Sequence, residues 1–179
     1  MFLDITGEIE EAVVRKSLDD ILGSTRLMSV GTVCDDGTPW LHNAYFSRDE
    51  DLFLYFLSSP QSQHSQNLQN SGGRTAVTVA DTRQPGTPGT RRGVQFRGGC
   101  GPARGARLAR GADLFAEAFP QFADVARALK TGPGAGPLLY AIEVDAFKLF
   151  DEDALGREVW LSGRVRPGRA AAPARTGRR

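Results

Sequence analysis

The sequence predicts a mainly β fold: a small antiparallel barrel of six or seven strands with flanking helical pieces. Three strand-like runs, Leu27 to Cys34, Trp40 to Ser47 and Leu52 to Ser58, follow one another with tight turns between them. Asp36-Gly37 between the first two is a strong hairpin signal, because glycine reaches the positive φ such turns need. The run Arg92-Gly93-Val94-Gln95-Phe96-Arg97-Gly98-Gly99 alternates apolar Val94 and Phe96 with polar Gln95 and Arg97. One of its faces is thus buried, while the other carries polar and cationic groups. Flanking glycines let the backbone bend or be approached closely, and a wall of this kind suits a flat, anionic ligand.

The elements follow in order. Ile5 to Leu22 has helical spacing, with Thr6 as N-cap and Gly23 as stop, and Ile9, Val13, Leu18, Ile21 and Leu22 would cover the barrel. Arg26 to Cys34, Trp40 to Ser47 and Leu52 to Leu57 make a meander with turns at Asp35-Asp36-Gly37-Thr38 and Asp49-Glu50-Asp51. Ser59-Pro60 opens a short helix to Gln69, Pro60 being suited to a first turn. Gly73 to Asp81 reads as strand, and 83–90, with two prolines and two glycines, as loop. Ala106 to Lys130 is helical with a break near Pro120, and Gly132 to Pro137 is a flexible break. Leu138 to Phe150 alternates as a long strand, and Glu158 to Ser162, around Trp160, is the last.

At 179 residues and 40% apolar content the chain suits one folded domain. No apolar run approaches the roughly 20 residues of a membrane span, and no basic-then-apolar leader is visible at the N-terminus. A cytoplasmic protein with no membrane partner is expected. Cys34 and Cys100 read as reduced, partly buried thiols. The net charge of +1 conceals an asymmetry: 164–179 holds six arginines and no acid, which leaves 1–163 at +1 − 6 = −5. The expected organisation is a domain over 1–163 and a disordered arginine-, proline- and alanine-rich tail over 164–179. That tail lacks aromatic residues for base stacking, and the acidic body argues against nucleic acid as the main partner.

A nucleophile elbow, a P-loop and a zinc-type cysteine pair are absent. Gly99-Cys100-Gly101 has its third glycine misplaced for a dinucleotide fingerprint. His42 and His64 alone do not make a metal site. What remains is a barrel holding a cofactor that carries the chemistry.

Particular words strengthen this reading. Asn43-Ala44-Tyr45-Phe46, His64, Arg92-Gly93-Val94-Gln95-Phe96-Arg97-Gly98, Phe119-Pro120, Phe147-Lys148-Leu149-Phe150-Asp151 and Trp160-Leu161 stand in the order seen in one family. On them the chain resembles the FMN-binding split β-barrels related to pyridoxamine 5′-phosphate oxidase, and among these the small bacterial proteins of the YhbP type. The resemblance covers most of 20–162. It implies a six- to seven-stranded antiparallel split barrel with flanking helices, a homodimer, and two FMN sites lined by both copies.

Carried over by position, Arg26, Leu27, Met28 and Ser29 would flank the flavin ring, and Ser58, Ser59 and Ser62 would reach the ribityl chain or phosphate. His64 stands where many such proteins place a phosphate-binding lysine, in the word Ser62-Gln63-His64-Ser65-Gln66-Asn67-Leu68. Histidine, with a reference pKa of ~6.5, is largely neutral at pH 7, so phosphate binding through it would be weaker and pH-dependent. Gln95, Arg97 and Asn43 would tune the flavin, Arg92 or Arg97 would neutralise the phosphate, and Trp160 could stack on the ring from the second copy. The implied activity is that of an FMN-dependent oxidoreductase acting on a small molecule near Tyr45 and the 83–91 loop. Alternatives within the same resemblance are a haem-binding protein using His42 or His64 as axial ligand, for haem degradation or nitrogen–nitrogen bond chemistry, and a non-catalytic flavin- or deazaflavin-binding dimer.

Overall fold

The computed structural model describes residues 2–81, 90–132 and 136–166. In chain order the elements are β1 (Phe2–Ile5), α1 (Glu11–Ser24), β2 (Leu27–Val33), β3 (Pro39–Tyr45), β4 (Ser47–Arg48), β5 (Phe53–Ser58) and α2 (Gln63–Asn70). They continue with β6 (Arg74–Ala80), β7 (Arg92–Pro102), α3 (Gly105–Ala118), α4 (Ala123–Ala128), β8 (Leu138–Asp151), α5 (Glu152–Leu155) and β9 (Trp160–Arg166).

The expected split barrel of six or seven strands is not what the chain forms. Among the described residues nine strands build one open sheet, in the order β1-β9-β8-β7-β6-β2-β3, with β5 joined to β8 and β4 to β5. The fold is mixed α and β. Closure would need a ladder between β3 and β5, and the described residues form none. The chain leaves β3 at Phe46, whose ring is buried and whose N–H donates to the Arg26 carbonyl at 3.1 Å. Ser47 and Arg48 then pair with Tyr55 and Leu54, so β3 and the β4–β5 pair become separate branches.

The first helix begins later than its spacing suggests, because the N-terminal residues are taken by the sheet. Phe2 to Ile5 pair with Arg166 to Gly163, and the Thr6 N–H donates to the Ser162 carbonyl at 2.9 Å, so Thr6 extends an edge instead of capping α1. The same pairing makes strand of Arg164 to Arg166, the first residues of the expected tail. Residues 167–179 lie outside the described residues, as do 82–89 of the expected loop and 133–135 of the expected break.

The strands alternate. Met28, Val30, Val77, Val79, Val94, Phe96, Phe147 and Leu149 point inward, where Val14, Leu18, Ile21 and Leu22 of α1 cover them. A second apolar cluster sets Phe115, Phe119 and Ala112 against Tyr55 and Leu139. Cys34 and Cys100 are both free, and burial pushes the Cys100 thiol up to about 12.

β8 carries the architecture. One edge pairs with β7 between Tyr140 and Asp151, while the other gives Leu138 to Glu143 to β5 and Ala146 to Phe150 to β9. The change of partner coincides with a bulge between Arg97 and Gly98 that leaves Asp145 unpaired in the ladder. At Gly98 a Cβ would overlap the Glu143 carbonyl.

The second fixture is Arg92. Its Nε and a terminal nitrogen donate to the two oxygens of fully buried Asp151, each at 3.0 Å. Asp151 also accepts from the Asp153 and Ala154 amides, capping α5. Burial pushes its carboxyl up, but hydrogen bonds from Arg92, Ser17 and Ala154 outweigh that and hold it below the ordinary carboxylate value. Arg92 is thereby committed to the fold and not to a ligand phosphate.

Two substitutions test these fixtures by denaturant unfolding. Asp151→Ala removes the cap of α5 and the bidentate partner of Arg92, leaving it longer contacts to Asp20, Asp81 and Asp153, and should cost about 3 kcal/mol. Gly98→Ala should cost about 2 kcal/mol or more, since backbone must move to relieve the clash. A variant whose stability stays within about 0.5 kcal/mol of wild type would show that its residue does not fix the sheet.

Candidate functional site

The face of the sheet turned away from α1 is built in rows. Strand alternation sends Leu27, Ser29 and Gly31 to this face while Met28 and Val30 enter the core. Register then aligns Asn43, Ser29, Thr78, Gln95, Lys148 and Ser162 across β3, β2, β6, β7, β8 and β9. This is an unbroken polar row, and the Ser29 hydroxyl donates to Asn43 Oδ1 at 2.7 Å within it. One step along, Leu41, Gly31, Ala76, Arg97, Ala146, Arg164 and Asp4 align, small residues alternating with charged ones.

On the other side of the polar row lies an aromatic edge. The Phe150 ring lies across Gly93, where a Cβ would come within 2.6 Å of it. Trp160 tilts against Phe150 at 4.5 Å between centroids, and the Lys148 ammonium sits 4.5 Å over the indole. Together the two rows form the floor of an open cavity of about 790 Å³.

The expected site residues divide between two places. Ser29, Gln95 and Arg97 line the cavity, with Asn43 and Leu27 on the same face. Met28 is in the core at 1% exposed, and Arg26 is an exposed residue just before β2. Ser58, Ser62 and His64 gather elsewhere, at the start of α2. His64 Nε2 lies 2.6 Å from Ser58 Oγ and 3.0 Å from Ser62 Oγ, and the Ser65 hydroxyl closes the cluster, 3.1 Å from Ser58 and 2.9 Å from Ser62. Ser59 is exposed and bonds to Gln61. Every hydroxyl of the three-serine cluster is thus partnered from within, and among the described residues no lysine or arginine takes part in it.

His42 stacks flat on His64, with ring centroids 3.6 Å apart and planes at 9°. It points away from Asn43, its neighbour on β3, and neither ring nitrogen has a hydrogen-bond partner. Burial first, and the neighbouring His64 second, push its pKa down to about 4; the Val30 backbone pulls slightly the other way without forming a hydrogen bond. Burial also lowers His64. Among the described residues no group of three histidine, cysteine or acidic side chains is placed to hold a metal ion.

Sequence reasoning missed Thr78, Lys148, Ser162, Arg164 and the small residues Ala76 and Ala146. A signal for Lys148 was available, since it alternates with Phe147 and Leu149 as Gln95 does with Val94 and Phe96. Its alignment with Gln95 needed the register, which the long stretch of chain between β7 and β8 conceals.

The rows thus lie on one face of an open antiparallel sheet whose opposite face α1 seals. Solved structures share the fold. A heme binding protein from Mycobacterium smegmatis superposes with a TM-score of 0.66 at 16% identity, covering 86% of this chain and 58% of that one. A conserved hypothetical protein of Mycobacterium tuberculosis gives 0.62 at 20% identity, covering 86% and 90%. HutZ, the heme storage protein of Vibrio cholerae, gives 0.53 at 13% identity, covering 75% and 89%.

The more particular assignment comes from sequence. The UPF0306 protein YhbP of Escherichia coli is 30% identical over 135 residues, 73% of this chain and 82% of YhbP. A UPF0306 protein of Klebsiella pneumoniae is 32% identical over 88 residues, 49% of this chain and 58% of that protein's length. The chain belongs to the UPF0306 family. No family model matches it.

The stacked imidazoles make the fold acid-sensitive in a defined window. Both histidines are lowered in the folded state from about 6.5, so the unfolded chain binds more protons below that pH. Their contribution to stability is full above pH 6.5 and is lost as pH falls toward about 4. Denaturant midpoints measured from pH 7 to pH 4 should fall for wild type and fall less for His42→Phe. Parallel curves for the two proteins would show that the pair does not govern the acid limb.

Proposed function

We propose that the chain is a binding protein for a planar, anionic cofactor of the flavin class, FMN or a deazaflavin, held on the outer face of the sheet. The observation that carries this is the polar row from Asn43 to Ser162, bordered by the Phe150–Trp160 edge. A flavin ring has flat apolar faces and a polar pyrimidine edge, so it uses an aromatic border and a line of hydroxyl and amide groups together. Gln95 both donates and accepts, which matches the alternating carbonyl and N–H positions of that edge. Ser29 and Thr78 supply hydroxyls beside it, and Lys148 brings a cation. Ala76 and Ala146 keep the floor low enough for a ring to lie on it.

Bound there, a flavin would supply two-electron redox chemistry. The chain's own residues would orient the ring and set the charge around it. The finer reading, an oxidoreductase acting on a small molecule, rests on that supply. The same face exposes Leu41 at 74%, Tyr45 at 47% and Leu27 at 47%, and this apolar rim supports a second copy of the chain as the group that covers the groove.

The second reading is haem. It is favoured by two structures of the same fold, a heme binding and a heme storage protein. The cations of the groove could pair with its carboxylates. Against it, among the described residues no histidine, cysteine, methionine or tyrosine lines the cavity to serve as axial ligand, and both histidines are packed on each other behind β3.

Absorption spectra after gel filtration with FMN, and separately with haem, test the proposal. A retained flavin double band is expected, with Gln95→Leu weakening FMN binding by about tenfold for a lost polar contact. A sharp Soret band without flavin retention would move the assignment to haem, and retention of neither would sink both readings.

A further inference from the structure

The geometry points to an anion subsite above Ala146, formed by Arg97 and Arg164, that takes the phosphate of the cofactor in place of the serine–histidine cluster at α2. This rests on the reading of the groove as a cofactor site and specifies which end of the ligand goes where.

Arg97 on β7 and Arg164 on β9 stand directly opposite Ala146 on β8, one on each side. Two strand spacings set their Cα atoms roughly 10 Å apart, within reach of two long side chains converging on one group between them. Ala146 offers only a methyl group there, so the space above it is open, and both arginines line the cavity. Lys148, two residues along β8, also lines the cavity, with its ammonium held over Trp160 on the side away from Ala146.

The charges around the subsite favour an anion. Arg97, Arg164 and Arg166 face Asp4 and Asp145, three cations against two carboxylates. Asp145 lies 3.4 Å from Arg97 Nε, and Asp4 is 2.6 Å from Arg166, which leaves it only the neighbour of Arg164. The Arg97–Asp145 pair is more than half exposed on both sides, so it is weak and a phosphate can displace it. The local balance is positive. It stands out from a body that is otherwise acidic, −5 over 1–163.

The α2 cluster lacks these properties. Its hydroxyls are satisfied by one another and its imidazole is stacked on a second one. A phosphate there would have to break that network with no permanent cation to compensate. Guanidinium forks, by contrast, match phosphate oxygens and keep their charge at any working pH.

Riboflavin differs from FMN only by the phosphate, so the pair isolates the subsite. Flavin-fluorescence titrations of the full chain, with circular dichroism to verify folding, would be run on wild type, Arg97→Ala, Arg164→Ala, Arg164→Lys and His64→Ala. Wild type should prefer FMN over riboflavin by about tenfold or more. Each arginine-to-alanine change should cut FMN affinity by about tenfold and leave riboflavin unchanged. Arg164→Lys should fall between, and His64→Ala should leave the preference intact. A preference lost in His64→Ala and kept in both arginine variants would overturn the subsite in favour of α2. Equal binding of both flavins by wild type would overturn it while the groove reading stands. If neither flavin binds, the groove reading fails, and inorganic phosphate followed by NMR of the arginine side chains decides the subsite. Shifts at Arg97 and Arg164 would retain it, and their absence would overturn it.

Discussion

Everything distinctive in this molecule depends on one strand having three neighbours. β8 is paired along one edge by β7 and along the other first by β5 and then by β9. A straight, regular strand cannot serve two divergent branches on the same edge. The bulge at Gly98 bends the β7–β8 ribbon where the partner changes, and it works only without a side chain, since the Glu143 carbonyl fills the place a Cβ would take. The β5 branch gathers α3 and α4 around Tyr55. The β9 branch carries β1 and forms the far wall of the groove. The fork therefore separates an apolar helical layer from a polar face, on which the cavity lies.

A forked sheet needs its layers fixed to one another, and Arg92 with Asp151 does this at the end of β8 remote from β5. Asp151 receives Arg92 from β7, two amides of α5 and the Ser17 hydroxyl of α1, while Arg92 also lies 3.5 Å from Asp20 on α1. A buried ion pair of this sort adds little net stability over apolar packing, but losing one member is costly. Its use is to set the position of α1 on the sheet, while on the other face α3 and α4 cover only the β5 side and the rest stays open to a ligand.

How much of this was legible depended on the range of the interaction. The meander from Leu27 to Ser58, the 94–97 alternation and the long alternating strand at β8 are local patterns, and the residues show them directly. The choice of Gln95 and Arg97 as one polar face followed from alternation alone. Closure did not. Whether β3 meets β5 is decided by Phe46 turning into the core and by β5 finding β8 far along the chain, and neither is encoded locally. The β1–β9 pairing joins Phe2 to Arg166, so Ile5 and Thr6 looked like a helix start and Arg164 to Arg166 like tail. The groove was half visible for the same reason: β7 declared its polar face, while Thr78, Lys148, Ser162 and Arg164 joined it only through register.

The histidine at 64, where the resemblance read from the sequence implies a lysine, can be understood from its surroundings. A lysine at 64 would bring a permanent charge against His42, whose nitrogens are buried without partners, and against hydroxyls already bonded to one another. Imidazole suits the place because it can be neutral: it accepts or donates to Ser58 and Ser62 and stacks flat on His42, where an ammonium could do only part of this. Burial lowers both histidines and keeps the stack uncharged at neutral pH. A site so arranged contributes packing and a hydrogen-bond network, but little charge for holding an anion. Three cations, Arg97, Lys148 and Arg164, are instead placed on the outer face by the pairing of β7, β8 and β9. Charge at α2 is thus kept low, while the register of β7, β8 and β9 brings Arg97 and Arg164 to the open groove.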